Sequence, residues 1–335
     1  EYTNRTGVKQ PPDLLGGIVI FSDSPQIQEE DAMKNILIVG GSYFVGRAFV
    51  EALQNSSEYV PYVMNRGTRP LKLEGVQEIV CERHDTGRMA KLVPPLEWQV
   101  VVDFCAYKPG DIATLLENLP GSVQQYVYIS TTTVQQNSVL LPMDEDSSKI
   151  TAPLTEPGGD YAYNKLLLEG ELKKSCEGKG IAYVSLRPAF IYGKYNYAPR
   201  ESYFFDLIAK QKMIILPSPP QALFSMVSVW DMAEICIACL GNDKVPNNAY
   251  TVCADELVSY DRIVAVLEEI TGRKLNVRRQ PVRLINAAGI PLPFPLEEHL
   301  IYSGARLQGI LNHRYMSLLE GMTRTYDWYL KDTDR

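Results

Sequence analysis

Tyr161 and Lys165 stand four residues apart in the run GGDYAYNKLLLEGEL. On a helix such a pair shares one face. A lysine there favours the ionised form of a nearby phenol. The phenol can then exchange a proton with a substrate hydroxyl while hydride moves at the neighbouring carbon. Tyr163 lies only two residues from the lysine and does not share that face. Upstream, YVYISTTTV reads as a strand that ends in hydroxyls, among them Ser130 and Thr131. Strand ends of this kind are where open α/β sheets bind their ligands.

Hydride chemistry needs a carrier, and NILIVGGSYFVGRAF offers it a seat. A strand ends at Gly40 and a helix begins within VGRAFVEAL. Gly40 permits the tight turn, and Gly46 lets the helix pack close to the strand. The helix N-terminus presents free N–H groups to a pyrophosphate. The cofactor loop is therefore Gly40, Gly41, Ser42, Tyr43, Phe44, Val45 and Gly46. Tyr43 occupies a position where a small residue is usual, and its ring is expected to turn away from the phosphates. The second strand, YVPYVMNRGTRP, ends in Asn65 and Arg66 rather than in an acid. Arg66, with Arg69, would suit a 2′-phosphate. The cofactor is thus NADP or NAD, with NADP slightly favoured.

Positioning these residues takes a sheet. Strand-like runs occur at ILIVG, YVPYVM, QEIV, QVVVDFC, QYVYIS, AYVSLR and AYTVC, with amphipathic stretches such as GRAFVEALQ and DIATLLENL between most of them. Alternation of this kind predicts an α/β fold, a doubly wound parallel sheet of Rossmann type, with a smaller C-terminal substrate-binding region. The expected division is an N-terminal extension over 1–32, with Met33 opening the fold. A dinucleotide-binding domain follows over 33–192 plus about 227–255, and a substrate-binding region over about 193–226 plus 256–335. The run GGIVIF within the extension could add an edge strand.

The chain has 335 residues, 45% hydrophobic and 22% charged, with a formal net charge of −7. The acidic balance argues against nucleic-acid partners and anionic membrane surfaces. No apolar run is long enough to span a bilayer. Six cysteines form no disulfide-type framework. Cys236 and Cys239 make a C-x-x-C inside the apolar helical run MAEICIACL, and read as core thiols. With only three histidines, no metal site is expected. A reducing, cytoplasmic setting follows.

The motifs ILIVGGSYFVG, YISTTTV, Tyr161–Lys165, LRPAFIYG and MVSVWDMAEICIACL, in this order, resemble the extended short-chain dehydrogenase/reductases of the NAD-dependent epimerase/dehydratase family. The similarity covers about Lys34–Gly272. It implies an NAD(P)-dependent epimerase or reductase that acts by hydride transfer on a sugar or nucleotide-sugar-like hydroxyl or ketone. Tyr161 would be the acid/base, Lys165 its partner and Thr131 the catalytic hydroxyl, with Ser130 beside it. Glu82 would meet the adenine. Phe104, Cys105 and Ala106 would line the cofactor, and Pro188, Phe190 and Ile191 would face the nicotinamide. Asp231 would be a structural cap. Helices containing Asp111–Asn118 and Tyr161–Lys173 would pair two copies into a homodimer.

Departures narrow the expectation. Thr132 and Thr133 follow Thr131 where dehydratases carry an Asp-Glu pair, which argues against sugar 4,6-dehydration. Phe224 and Ser225 occupy the stretch where nucleotide-sugar enzymes place a diphosphate-binding arginine, and Ser228 replaces the usual histidine. Arg200 or Arg187 could supply a cation elsewhere. The segments MNRGTRP, VVDFCAY and RESYFFDLIAKQKMIILP are similar to an atypical branch related to chloroplast stem-loop RNA-binding proteins. That keeps RNA binding, or cofactor sensing without turnover, as alternatives.

Overall fold

A computed structural model describes residues 33–155, 159–220, 222–245 and 247–333. The extension over 1–32, and the edge strand expected within it, lie outside the described residues.

The chain begins with β1 (Lys34–Val39), α1 (Phe44–Leu53), β2 (Tyr59–Asn65), β3 (Gln77–Val80), α2 (Thr86–Leu92), β4 (Leu96–Asp103), α3 (Asp111–Asn118) and β5 (Gly121–Ile129). A short 3₁₀ turn, Thr132–Val134, leads toward α4 (Gly159–Glu177) and β6 (Ala182–Pro188). Next come β7 (Phe190–Tyr192), α5 (Glu201–Ala209), β8 (Ile214–Pro217), β9 (Phe224–Ser228), α6 (Val229–Cys239) and β10 (Asn248–Val252). The rest comprises β11 (Leu257–Val258), α7 (Tyr260–Thr271), β12 (Val277–Gln280), α8 (Val282–Ala287), α9 (Ala305–Leu311) and α10 (Leu318–Thr333).

Among the described residues, seven strands form one sheet in the order β10-β6-β5-β4-β1-β2-β3. All six pairings are parallel. These seven are the seven apolar runs of the sequence. The order turns back between β1 and β4, and such a switch point opens a crevice at the C-terminal edge of the sheet.

Both faces of the sheet are covered, which is why its strands are continuously apolar. In β1, Ile36 and Ile38 join Phe49, Val50, Met232 and Cys236 on one side. Leu37 and Val39 join Ile112, Leu115, Leu168 and Leu172 on the other. Each such side chain contributes ~1.5–3 kcal/mol by leaving water. In α4, Lys165, Leu168, Leu172 and Cys176 are buried, a spacing that marks one helical face. The catalytic lysine candidate therefore sits on the face turned to the sheet. Helix α3 is locked to α4 by Glu171, whose carboxylate accepts from the N–H groups of Gly110, Ile112 and Ala113.

The later part of the chain, expected to form the smaller substrate-binding region, holds a third apolar cluster built on α5, α7 and α10 with Phe224 and Phe294. The rings of Phe224 and Phe294 stack 4.6 Å apart. Here β7 and β9 pair in parallel, β11 lies antiparallel to β9, and β8 pairs with β12. Cys236 and Cys239 are buried and unbridged, and burial raises both thiols, as core thiols require. Among the described residues, no helix is long and apolar enough to cross a membrane.

Candidate active site

A cavity of about 870 Å³ opens at the C-terminal edge of the sheet, and residues following β1, β2, β3, β4, β5 and β6 line it. Its floor is the glycine loop. Gly40 has φ +86°, and a Cβ there would lie 2.9 Å from the Cys105 side chain. A Cβ on Gly46 would lie 2.5 Å from the Gly40 carbonyl oxygen, so α1 packs directly on the loop. Ser42, Tyr43, Phe44 and Val45 complete the loop's wall. Gly41 does not line the cavity. Its position faces Ile38, Val63 and Val50, so its smallness serves sheet–helix packing. Helix α1 starts without a side-chain cap, which leaves its first N–H groups open to an anion.

The Tyr43 ring, expected to turn from the phosphates, has partners on other loops. The Arg69 guanidinium carbon lies 3.7 Å from the ring centroid, and the Tyr197 ring stacks on it at 5.6 Å. Cation–π and ring–ring attraction hold the phenol in the cavity wall. The next residue, Phe44, has φ +43°, a strained value for a side chain of this size. Its ring meets Tyr197 edge-on at 5.8 Å.

Along the wall after β2, Asn65 is committed to the turn. Its amide donates to Glu78 Oε1 at 2.7 Å, and its oxygen accepts from the Gly67 N–H at 2.6 Å. Arg66 and Arg69 are exposed and line the cavity. Glu82 also lines it and holds His84, whose Nδ1 lies 3.0 Å from Glu82 Oε1 and whose Nε2 lies 2.7 Å from Asp111 Oδ1. The bond to Asp111 is the main reason the imidazole pKa is raised.

Behind this wall sits an ion pair that the sequence reading missed. Buried Arg83 donates to both oxygens of fully buried Asp103 at 3.0 Å, and to the Asp111 carbonyl at 2.8 Å. Asp103 also accepts from the Tyr126 hydroxyl and the Cys105 N–H. The pair fixes the end of β4, where Phe104 and Cys105 line the cavity. Ala106 does not line it; its carbonyl accepts from Lys165 instead.

The chemistry-bearing groups converge beyond β5. Lys165 is 2% exposed and donates to the carbonyls of Ala106 (2.9 Å) and Ile129 (2.7 Å). Its ammonium lies 4.7 Å from the Tyr107 ring centroid and 4.8 Å from that of Tyr128. Burial lowers its pKa to about 8, against the pull of Asp103. Tyr161 is 43% exposed at the cavity wall. Burial of its hydroxyl, then Tyr197, raises it to about 12, while Arg200 and a hydrogen bond with Thr131 oppose the rise. Arg200's charge favours the ionised phenol, and the Lys165 ammonium lies 5.8 Å from the Tyr161 ring centroid. Ser130 and Thr131 also line the cavity. The buried Ser130 hydroxyl has no hydrogen-bond partner among the described residues.

Pro188, Phe190 and Ile191 form the far wall. Phe190 packs edge-on against Phe224 and Phe294, which ties this wall to the third apolar cluster. Tyr107, Tyr197, Leu300 and Tyr302 also line the cavity without having been singled out, together with Arg200, which was named as a possible cation. Arg187 is consumed: Glu169 binds it through two bonds of 2.8 and 2.6 Å. Asp231 was expected to be a structural cap, but the cap of α6 is Ser228, whose hydroxyl oxygen accepts from the Asp231 N–H. The Asp231 carboxylate accepts from the Met316 N–H and the Ser228 hydroxyl and lies 3.0 Å from His313 Nε2.

Fold and site together define a doubly wound Rossmann-type α/β architecture with a cavity at the switch point of its sheet. Residues 111–253 match the sequence model of the NAD dependent epimerase/dehydratase family. The chain is 24% identical over 311 residues to the chloroplast stem-loop binding protein of 41 kDa b from Arabidopsis thaliana, spanning 88% of this chain and 79% of that protein. It is 30% identical to 2′-dehydrokanamycin reductase of Streptomyces kanamyceticus over 142 residues, 42% of this chain and 38% of that one. The structure of UDP-glucose 4-epimerase with UDP-glucose from Thermotoga maritima superposes with a TM-score of 0.71 at 17% identity, covering 89% of this chain and 99% of that one.

Proposed function

We propose that the chain is an NAD(P)-dependent epimerase or reductase acting on a hydroxyl or ketone of a sugar-like substrate, with Tyr161 as the acid/base. The observation that carries this reading is the convergence of Tyr161, Thr131 and Lys165 in the cavity floored by the glycine loop. Bound NAD(P) would exchange hydride with the substrate carbon. Tyr161 would pass a proton to or from the oxygen on that carbon, and Thr131 would orient the oxygen.

The dinucleotide fits the residues present. Gly46 leaves no side chain between α1 and Gly40, so the uncapped helix start can approach a pyrophosphate. Lys165 spends two N–H groups on carbonyls, and the third can hold a ribose hydroxyl. Arg66 and Arg69 favour NADP over NAD. Replacing Tyr161 with Phe tests the reading: turnover should disappear while cofactor binding persists.

The same reading assigns the cofactor to the sheet and the substrate to the later cluster, and it pairs two copies through α3 and α4. Solution mass checks the pairing, and a monomer would remove it. Six free thiols, five of them buried, accord with a reducing, cytoplasmic setting.

A second reading, RNA binding, is favoured by the stem-loop binding name of a relative that aligns with 88% of the chain. The net charge of −7 weighs against it. Salt-sensitive RNA affinity would support it, and its absence would remove it.

A further inference from the structure

We propose that Arg200 receives an anionic group of the substrate, a carboxylate or a phosphate, so that the enzyme acts on an acidic sugar-like molecule. The inference rests on the catalytic reading of Tyr161, whose cavity Arg200 shares.

Arg200 precedes α5, in the loop that follows β7. Its guanidinium is largely withdrawn from water and donates through Nη1 to the Ile191 carbonyl at 2.9 Å. The guanidinium carbon lies 5.5 Å from the Phe190 ring centroid. Among the described residues it forms no ion pair. The adjacent acid, Glu201, is spent elsewhere: it accepts from the Gly193 N–H at 2.9 Å and from the Asn196 amide at 3.1 and 3.2 Å. A guanidinium taken from water with most of its N–H groups uncommitted is costly. An anion with two oxygens matches that fork and restores its bonds.

Three other cations near the site are committed elsewhere. Arg83 is held by Asp103 and Arg187 by Glu169. Lys165 is turned to backbone carbonyls. The late strand, where a diphosphate-binding arginine was sought, presents Phe224 and Ser225, both fully buried. Arg200 is also the cation whose charge acts on the Tyr161 hydroxyl. An anion seated on it would therefore place its parent carbon skeleton beside the acid/base.

The test is equilibrium binding of glucuronate, glucose 1-phosphate and glucose to the NADP-saturated protein, in wild type, Arg200→Gln and Arg200→Lys. The expected result is that one acidic probe binds wild type about tenfold or more tighter than glucose. Arg200→Gln should erase that preference, and Arg200→Lys should keep part of it. Whether glucuronate or glucose 1-phosphate is preferred identifies the carboxylate or the phosphate. Unchanged NADP affinity shows that each variant is folded. Equal binding of acids and glucose by wild type, or an undiminished preference in Arg200→Gln, overturns the proposal. The outcome is independent of the Tyr161→Phe turnover test. A preference for acids without turnover would leave Arg200 as an anion receptor and remove the catalytic reading.

Discussion

Lys165 holds its ammonium 5.8 Å from the ring centroid of Tyr161, one helical turn further along α4. Two carbonyls fix the ammonium from the sheet side, so the lysine is an immobile charge. Its energetic cost is visible in its pKa of about 8. An unfolded lysine keeps its proton to about pH 10.4. Between those values the unfolded chain binds more protons than the folded one, so this group's contribution to stability grows with pH. The stability difference between wild type and Lys165→Met, from urea midpoints at about pH 7.5 and about pH 10, should shift in favour of wild type at the higher pH. A difference that does not vary with pH contradicts this.

His84 has the opposite sign. Its bonds to Asp111 and Glu82 raise the imidazole above its ordinary value. The stability it supplies is complete below the unfolded value and fades as pH rises through the raised folded one. Thermal midpoints of wild type and His84→Gln should therefore converge on going from acid toward neutral and alkaline pH. Parallel pH profiles would show that the pair contributes nothing.

The Arg83–Asp103 pair governs the end of β4. Asp103→Asn should lower unfolding free energy by ~3–5 kcal/mol, because a buried guanidinium loses its counter-charge. In a double-mutant cycle with Arg83→Met, the combined loss should be smaller than the sum. Additive losses in urea titrations would show that the two residues act separately.

On the proposed NADP preference, cofactor choice would fall to the exposed arginines after β2. Replacing Arg66 and Arg69 together by Ala should weaken NADP by about tenfold or more and leave NAD nearly unchanged. Because Arg69 also lies on the Tyr43 ring, Arg66→Ala alone separates loss of charge from loss of stacking. Equal losses for both cofactors would remove the NADP preference.

Much of the sheet was legible because its strands are buried on both faces, as Ile36–Val39 show, and so are apolar without interruption. The Tyr161–Lys165 pair was legible because one helical turn is a local relation. Gly41 was assigned to the cofactor because a small residue near a turn serves packing and ligand approach equally well in sequence. Its neighbours Val63 and Val50 decide for packing. The contacts of the Tyr43 ring were not legible because Arg69 and Tyr197, which hold it, lie on other loops. Arg83 and Asp103 carry no motif, and only the parallel stacking of strands brings them together. Tyr302 reaches the cavity from a segment bridged to Met143, a long-range contact that no local pattern announces.

The most direct measurement is turnover and NADP affinity of Tyr161→Phe beside wild type, on a panel of acidic and neutral sugars, with nicotinamide absorbance following net oxidation or reduction and product analysis following epimerisation. The predicted result is a loss of ~10²–10⁴-fold in turnover at unchanged NADP affinity. Turnover in Tyr161→Phe equal to wild type, or no sugar reduced, oxidised or epimerised by the wild type, would contradict Tyr161 as the acid/base.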